Sequence, residues 1–180
     1  MKELELHKAF TLIEPGPVTM VTTSYKGKHN IMTISWHMVM DFTPRLALLT
    51  GPWNYSFEAL TKTEECVISI PTIDLLDTVI SVGTCIGSET DKFTEFGLTA
   101  LDADIVKAPL IKECYANIEC KVAEYIERHN IFVLDAVKAW IVPNRQEKTI
   151  FHYRGNGIFV ADGTTYERRE RMKSKLAPGI

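Results

Sequence analysis

The chain has 180 residues, 46% of them hydrophobic and 24% charged, with a formal net charge of -3. A chain of this size can bury roughly 70% of its unfolded surface, and the composition excludes a disordered polymer. The acidic balance argues against a non-specific nucleic-acid binder. No apolar stretch approaches the roughly eighteen residues a membrane span needs.

In chain order, residues 4–13 read as a short helix or an extended lead-in, with no apolar signal core. A cytoplasmic location is therefore expected. Glu14-Pro15-Gly16-Pro17 ends that segment, and residues 18–25, rich in β-branched side chains, read as a strand. Lys26-Gly27-Lys28 is a turn, with residues 30–40 as the return strand of a hairpin. Two short apolar runs, 46–50 and 66–70, flank a helical stretch over 54–62. A helix is expected over 73–82, then a loop bracketed by Gly83 and Gly87, then a short helix over 88–96. Ser88-x-x-Asp91 reads as a capping box at the start of that helix. Two long strands, 116–126 and 130–142, are joined through Glu127-Arg128-His129, and a last strand covers 157–162. The tail, 164–180, is basic and is expected to be solvated or draped over a partner subunit. Many strands with a few inserted helices point to one domain over 1–180, mainly β, an antiparallel barrel or sandwich.

The four cysteines, Cys66, Cys85, Cys114 and Cys120, form no C-x-x-C pair and do not interleave with histidines, so no metal site is expected. Cys66 and Cys120 lie in apolar runs, where a thiol serves as a small buried hydrophobe. No histidine sits in a hydrolase or zinc-protease motif, and there is no P-loop or dinucleotide fingerprint. Three weaker features remain. On a strand, Thr33, Ser35 and His37 share one face and Met32, Ile34 and Trp36 the other. That polar row is either a solvated face or a ligand wall. Trp53-Asn54-Tyr55-Ser56 opens a helix, where Asn54 and Ser56 either cap it or help hold a phosphate. Ser88 and Lys92 pose the same choice one helix later.

Taken together, these blocks resemble the flavin reductase-like proteins of the flavoredoxin group. The resemblance is carried by Pro15-Gly16-Pro17-Val18, by 30–37, by Val67-Ile68-Ser69-Ile70-Pro71, and by Val82-Gly83-Thr84 with Gly87. It continues through Asp91-Lys92-Phe93, Gly97-Leu98-Thr99, Ala108-Pro109-Leu110-Ile111, 117–121 and His129-Asn130-Ile131-Phe132-Val133, in the family's order. The resemblance implies an FMN-binding split β-barrel acting as a homodimer. It implies FMN as cofactor, NADH or NADPH as donor, and free flavin, ferric complexes or a protein as acceptor. The other activity it allows is a flavoredoxin-like electron carrier that holds FMN without oxidising NAD(P)H. By the same carry-over Asn30, Thr33, Ser35 and Trp36 would line the flavin. Ser56, Ser88 and Lys92 would hold phosphate or ribityl oxygens, helped by backbone amides around Gly83 and Thr84. His129 would sit near the reacting ring as the catalytic residue, although Glu127-Arg128 stands before it where the family often has Gly-Asp. No partner among nucleic acids or membranes is expected.

Overall fold

A computed structural model describes residues 16–40 and 44–172. The expected lead-in at 4–13 and the end of the basic tail lie outside the described residues. Strands β1 (Thr19–Tyr25) and β2 (Lys28–Ile34) form the predicted hairpin. Lys26 and Gly27 both take positive φ, 51° and 74°, the geometry whose twist suits a two-residue hairpin loop. The expected return strand does not run on to residue 40. It stops at Ile34 and, after Ser35 and Trp36, resumes as β3 (His37–Val39), which pairs with β4 (Arg45–Leu49) instead.

Helix α1 (Ser56–Thr63) leads to β5 (Glu65–Ile70). A 3-10 turn (Ile73–Leu75) opens α2 (Leu76–Thr84), so Gly83 belongs to the last turn of a helix and not to a loop. The next helix, α3 (Lys92–Glu95), is shorter than expected. Its cap is Asp91, whose carboxylate accepts from the N–H groups of Phe93 and Thr94, and Ser88 lies outside it. Two-residue strands β6 (Ala100–Leu101) and β7 (Leu110–Ile111) precede the long hairpin of β8 (Ala116–Ile126) and β9 (Ile131–Ile141). The sequence reading missed β10 (Phe151–Tyr153), which pairs with β11 (Phe159–Ala161), and the short helix α4 (Arg169–Met172) in the tail.

Seven strands form one antiparallel sheet in the order β2-β1-β5-β8-β9-β4-β3. Its two edge strands are consecutive in the chain, separated only by Ser35 and Trp36. From Ile34 to His37 the backbone can reach about 11 Å, so the sheet must curl until its edges nearly meet. Two register shifts between β8 and β9 help these long strands to bend. The result is a curled, barrel-like sheet with the expected antiparallel architecture.

Alternation along the strands supplies two cores. Val21, Met32, Ile34, Leu48, Ile68, Phe132 and Leu134 fill the barrel, where Cys66 and Cys120 face each other across β5 and β8. A hydrogen bond with the Cys120 thiol, reinforced by burial, pushes the Cys66 thiol well above its ordinary pKa, which keeps it protonated and inert. On the outside of the wall, Met20 and Ile31 pack against Val79 and Val82 of α2 and Phe93 of α3. Glu119 on β8 is fully buried and tethers the 102–109 loop. Its carboxylate accepts from the N–H groups of Asp104 (3.1 Å), Ile105 (2.6 Å) and Val106 (3.1 Å) and from Trp140 Nε1 (2.7 Å). Burial raises the Glu119 carboxyl pKa, but these donors outweigh it and hold the group below the usual carboxylate range. Among the described residues no helix is long and apolar enough to cross a membrane.

Candidate functional site

The outer face of β2 and the end of α2 make one wall of a groove. Thr33 Oγ1 donates to Val79 O at 2.8 Å and ties strand to helix. Gly83 lies one turn further on, where an added Cβ would come 3.1 Å from Thr33 Cβ. Helix and strand can approach this closely because the contact residue is glycine. Beyond α2 the chain turns sharply, with Glu89 N and Thr90 N both donating to Ile86 O at 3.1 Å. Among the described residues, the backbone N–H groups of Ile86, Gly87 and Ser88 find no acceptor within the chain. A run of unpartnered amides beside a cleft is suited to anionic oxygens.

Gly87 holds this turn against the barrel. A Cβ there would stand 2.2 Å from Asn30 Oδ1 and 2.6 Å from Tyr55 Cδ1. Asn30 is itself fixed from below, its Nδ2 donating to the buried Ser56 Oγ at 2.7 Å, with Thr23 Oγ1 at 3.4 Å from the same oxygen. Ser56 N–H donates to Asn54 Oδ1 at 3.1 Å at the start of α1. Lys92 is buried, and its ammonium donates to Ile31 O at 2.9 Å and Val82 O at 2.7 Å. Burial lowers its pKa, partly opposed by the neighbouring Cys85 thiol. Among the described residues no carboxylate pairs with this ammonium, so one of its protons is left for another acceptor.

Between these parts lies a cleft of about 340 Å³, lined by Thr33, Gly83, Thr84 and Lys92 on one side and by Trp53, Asn54 and Tyr55 on the other. A neighbouring cleft of about 340 Å³ shares Thr33, Gly83 and Thr84 with it and adds Ser35, Tyr153 and Phe159. A third, of about 410 Å³, shares Tyr55 and Gly87 and includes Ser88. The three make one continuous groove along β2 and the 84–91 segment.

Of the residues singled out in the sequence, Thr33, Gly83, Thr84 and Lys92 line the first cleft together, with Ser35 and Ser88 in the adjoining ones. Asn30 and Ser56 lie beneath its floor, bonded to each other. Trp36 is 53% exposed in the link between the sheet edges. His129 lies in the exposed turn between β8 and β9, where its Nε2 accepts from Arg128 Nε at 3.1 Å. Neither Trp36 nor His129 lines the three clefts. His37, expected on the same face as Thr33 and Ser35, moves to the opposite edge strand and meets Pro17 O at 2.7 Å. The amides of Gly83 and Thr84 lie within α2, so the unpartnered donors begin two residues later. Sequence reasoning passed over Trp53, Tyr55 and the 86–88 backbone. The signal available for them was Gly87, a glycine just past a helix where the chain must approach another strand.

The family model described as "Flavin reductase like domain" matches residues 13–157. An uncharacterized protein of Archaeoglobus fulgidus is 36% identical over 118 residues, 64% of this chain and 67% of that one. The fold is similar to that of flavoredoxin from Methanosarcina acetivorans, with a TM-score of 0.82 and 20% identity, covering 98% of this chain and 99% of that one. It is also similar to an FMN-binding domain of a flavin reductases-like enzyme from Shewanella baltica OS155. That match has a TM-score of 0.78 and 22% identity, covering 92% of this chain and 95% of the other.

Proposed function

Because the chain belongs to the flavin reductase-like domain family, we propose that it is an FMN-dependent oxidoreductase, taking electrons from NADH or NADPH for a second acceptor. That acceptor would be free flavin, a ferric complex or a protein. The observation that carries the reading is the groove, in which a buried ammonium and three unpartnered N–H groups border an open slot with aromatic walls. These groups fit FMN by their chemistry. Amides of 86–88 with the Thr84 and Ser88 hydroxyls suit a phosphate, and the exposed ring of Trp53 suits a flat heterocycle. When bound, FMN supplies the hydride and electron chemistry, leaving position and electrostatics to the protein.

In this reading Thr33 and Gly83 form the wall against which the ring is oriented. Lys92, aligned by Ile31 O and Val82 O, stabilises negative charge on the bound ring. Asn30 and Ser56 brace Gly87 and the donor turn from beneath, which keeps the amides aimed before any ligand arrives. Nothing here requires a general acid or base in the cleft, and His129 is left a role only where a second copy brings another surface to it. A homodimer belongs to the same reading. Edge strand β3 exposes Met38 and Val39, and the outer half of β9 exposes Val137 and Ile141. An apolar edge of this kind favours a covering partner.

An anaerobic absorbance spectrum of the purified, FMN-loaded protein before and after NADH, and then NADPH, tests the proposal. Bleaching by either nucleotide is expected. A flavin untouched by both but bleached by dithionite would point instead to an electron carrier, and no flavin uptake at all would end both readings. Sedimentation at micromolar concentration tests the dimer.

A further inference from the structure

The third cleft, on the far side of Tyr55 and Gly87, differs in character from the one beside Lys92. One wall is the β1–β2 turn, where Lys28 and His29 begin β2. Another is Phe93, whose ring meets that of His29 edge-on at 6.3 Å between centroids. Together with Tyr55 these rings border a slot for a flat base. Lys28, which the flavin does not use, offers a donor for phosphate oxygens. The opposite rim carries two carboxylates with different status. Asp91 is engaged as the α3 cap and by Thr94 Oγ1. Glu89 is exposed and has no cation or hydrogen-bond donor among the described residues.

An aromatic slot, a phosphate-binding side and an unengaged carboxylate are what an adenosine diphosphate group with a free ribose diol requires. Resting on the flavin-reductase reading above, we propose that this cleft binds the adenosine half of NADH, and that Glu89 discriminates against the 2′-phosphate of NADPH. The carboxylate accepts from a vicinal diol but repels a phosphate in its place. Because the cleft shares Tyr55 and Gly87 with the flavin cleft, a dinucleotide lying across Gly87 has its other end beside the flavin. Specificity for the donor is thus set outside the flavin cleft, by residues that need not touch the flavin.

The test uses FMN-loaded protein with two probes, ADP and adenosine 2′,5′-bisphosphate, by calorimetry, together with KM for NADH and NADPH. ADP is expected to bind more tightly than the bisphosphate, and Lys28→Ala to weaken ADP by about tenfold. Glu89→Arg should shift the NADH-to-NADPH preference toward NADPH by about tenfold or more, and Glu89→Gln should shift it less in the same direction. ADP binding no tighter than the bisphosphate, or a nucleotide preference indifferent to both Glu89 variants, would overturn the assignment. The two readings fail separately. Protein that binds ADP through Lys28 yet oxidises neither nucleotide keeps the cleft and loses the reductase. Protein that oxidises NADH while ADP fails to bind keeps the reductase and loses the cleft.

Discussion

Two loops of the molecule present backbone N–H groups in series, and they treat them in opposite ways. In the 102–109 loop, the amides of Asp104, Ile105 and Val106 converge on Glu119, a carboxylate supplied by the chain itself. In the 86–88 turn, three amides find no acceptor among the described residues. The first cluster is complete, closed on the buried Glu119 side chain, and the second borders an open groove. A buried polar group must find a partner within the fold, whereas one at a cleft is free to await a ligand. The difference separates a structural clasp from a binding surface, although both use the same backbone chemistry.

The largest way to break that comparison is Glu119→Ala. It strips a fully buried acceptor from three amides and the Trp140 indole, and should cost about 3 kcal/mol of folding stability. Urea unfolding measures this, and a loss below about 1 kcal/mol would make the clasp no more structural than the cleft. Lys92→Met comes next, because the ammonium serves both classes. Loss of its bonds to Ile31 O and Val82 O should cost about 2 kcal/mol, with weaker FMN retention in the molecules that remain folded. Flavin titration of the variant beside the parent protein reads the second effect. Gly87→Ala drives a methyl into Asn30 and Tyr55 and should lower FMN affinity about tenfold, with a stability loss near 1 kcal/mol.

The smallest effect is in pH. The Glu119 carboxyl is held below its ordinary pKa in the folded state. Its contribution is therefore fully present above the ordinary value of about 4.3 and is lost as pH falls through that value toward the folded one. Stability measured from pH 7 downward should decline less steeply below about pH 4 in Glu119→Gln than in the parent. Equal slopes would remove Glu119 from the acid response.

Much of the barrel is legible in the amino-acid sequence because its long strands alternate and its turns use glycine and polar residues. Strands β1, β5, β8 and β9 and helix α1 match their expected positions within a few residues. The break at Ser35 and Trp36 is not legible, since alternation continues across it and only sheet pairing distinguishes one strand from two. β10 has three residues, too few for a period to show. Ser88 and Asp91 are both good caps, and the hydrogen bonds chose Asp91. In the candidate site, side chains such as Thr33 and Lys92 could be read from type and spacing, whereas Thr84 entered only through the family resemblance. The 86–88 donors could not, because backbone N–H groups leave no mark in residue identity. The engagement of Asn30 with Ser56 was equally hidden, since their 26-residue separation reveals nothing of contact.

The two-residue link between the sheet edges also bears on the order in which the molecule assembles. The β1–β2 and β8–β9 hairpins are local, but β4 pairs with β9 across some ninety residues, Arg45 against Asp135. Pairings of such long range form late and slow the folding of a chain. Thr33 and Ser35 lie on or beside the strand that must meet the opposite edge, so the groove comes into being only when the last seam closes. A ligand seated there selects the closed state and opposes its opening in proportion to how far its concentration exceeds its dissociation constant. The cofactor would thereby act as the latch of the fold whose closure creates its site.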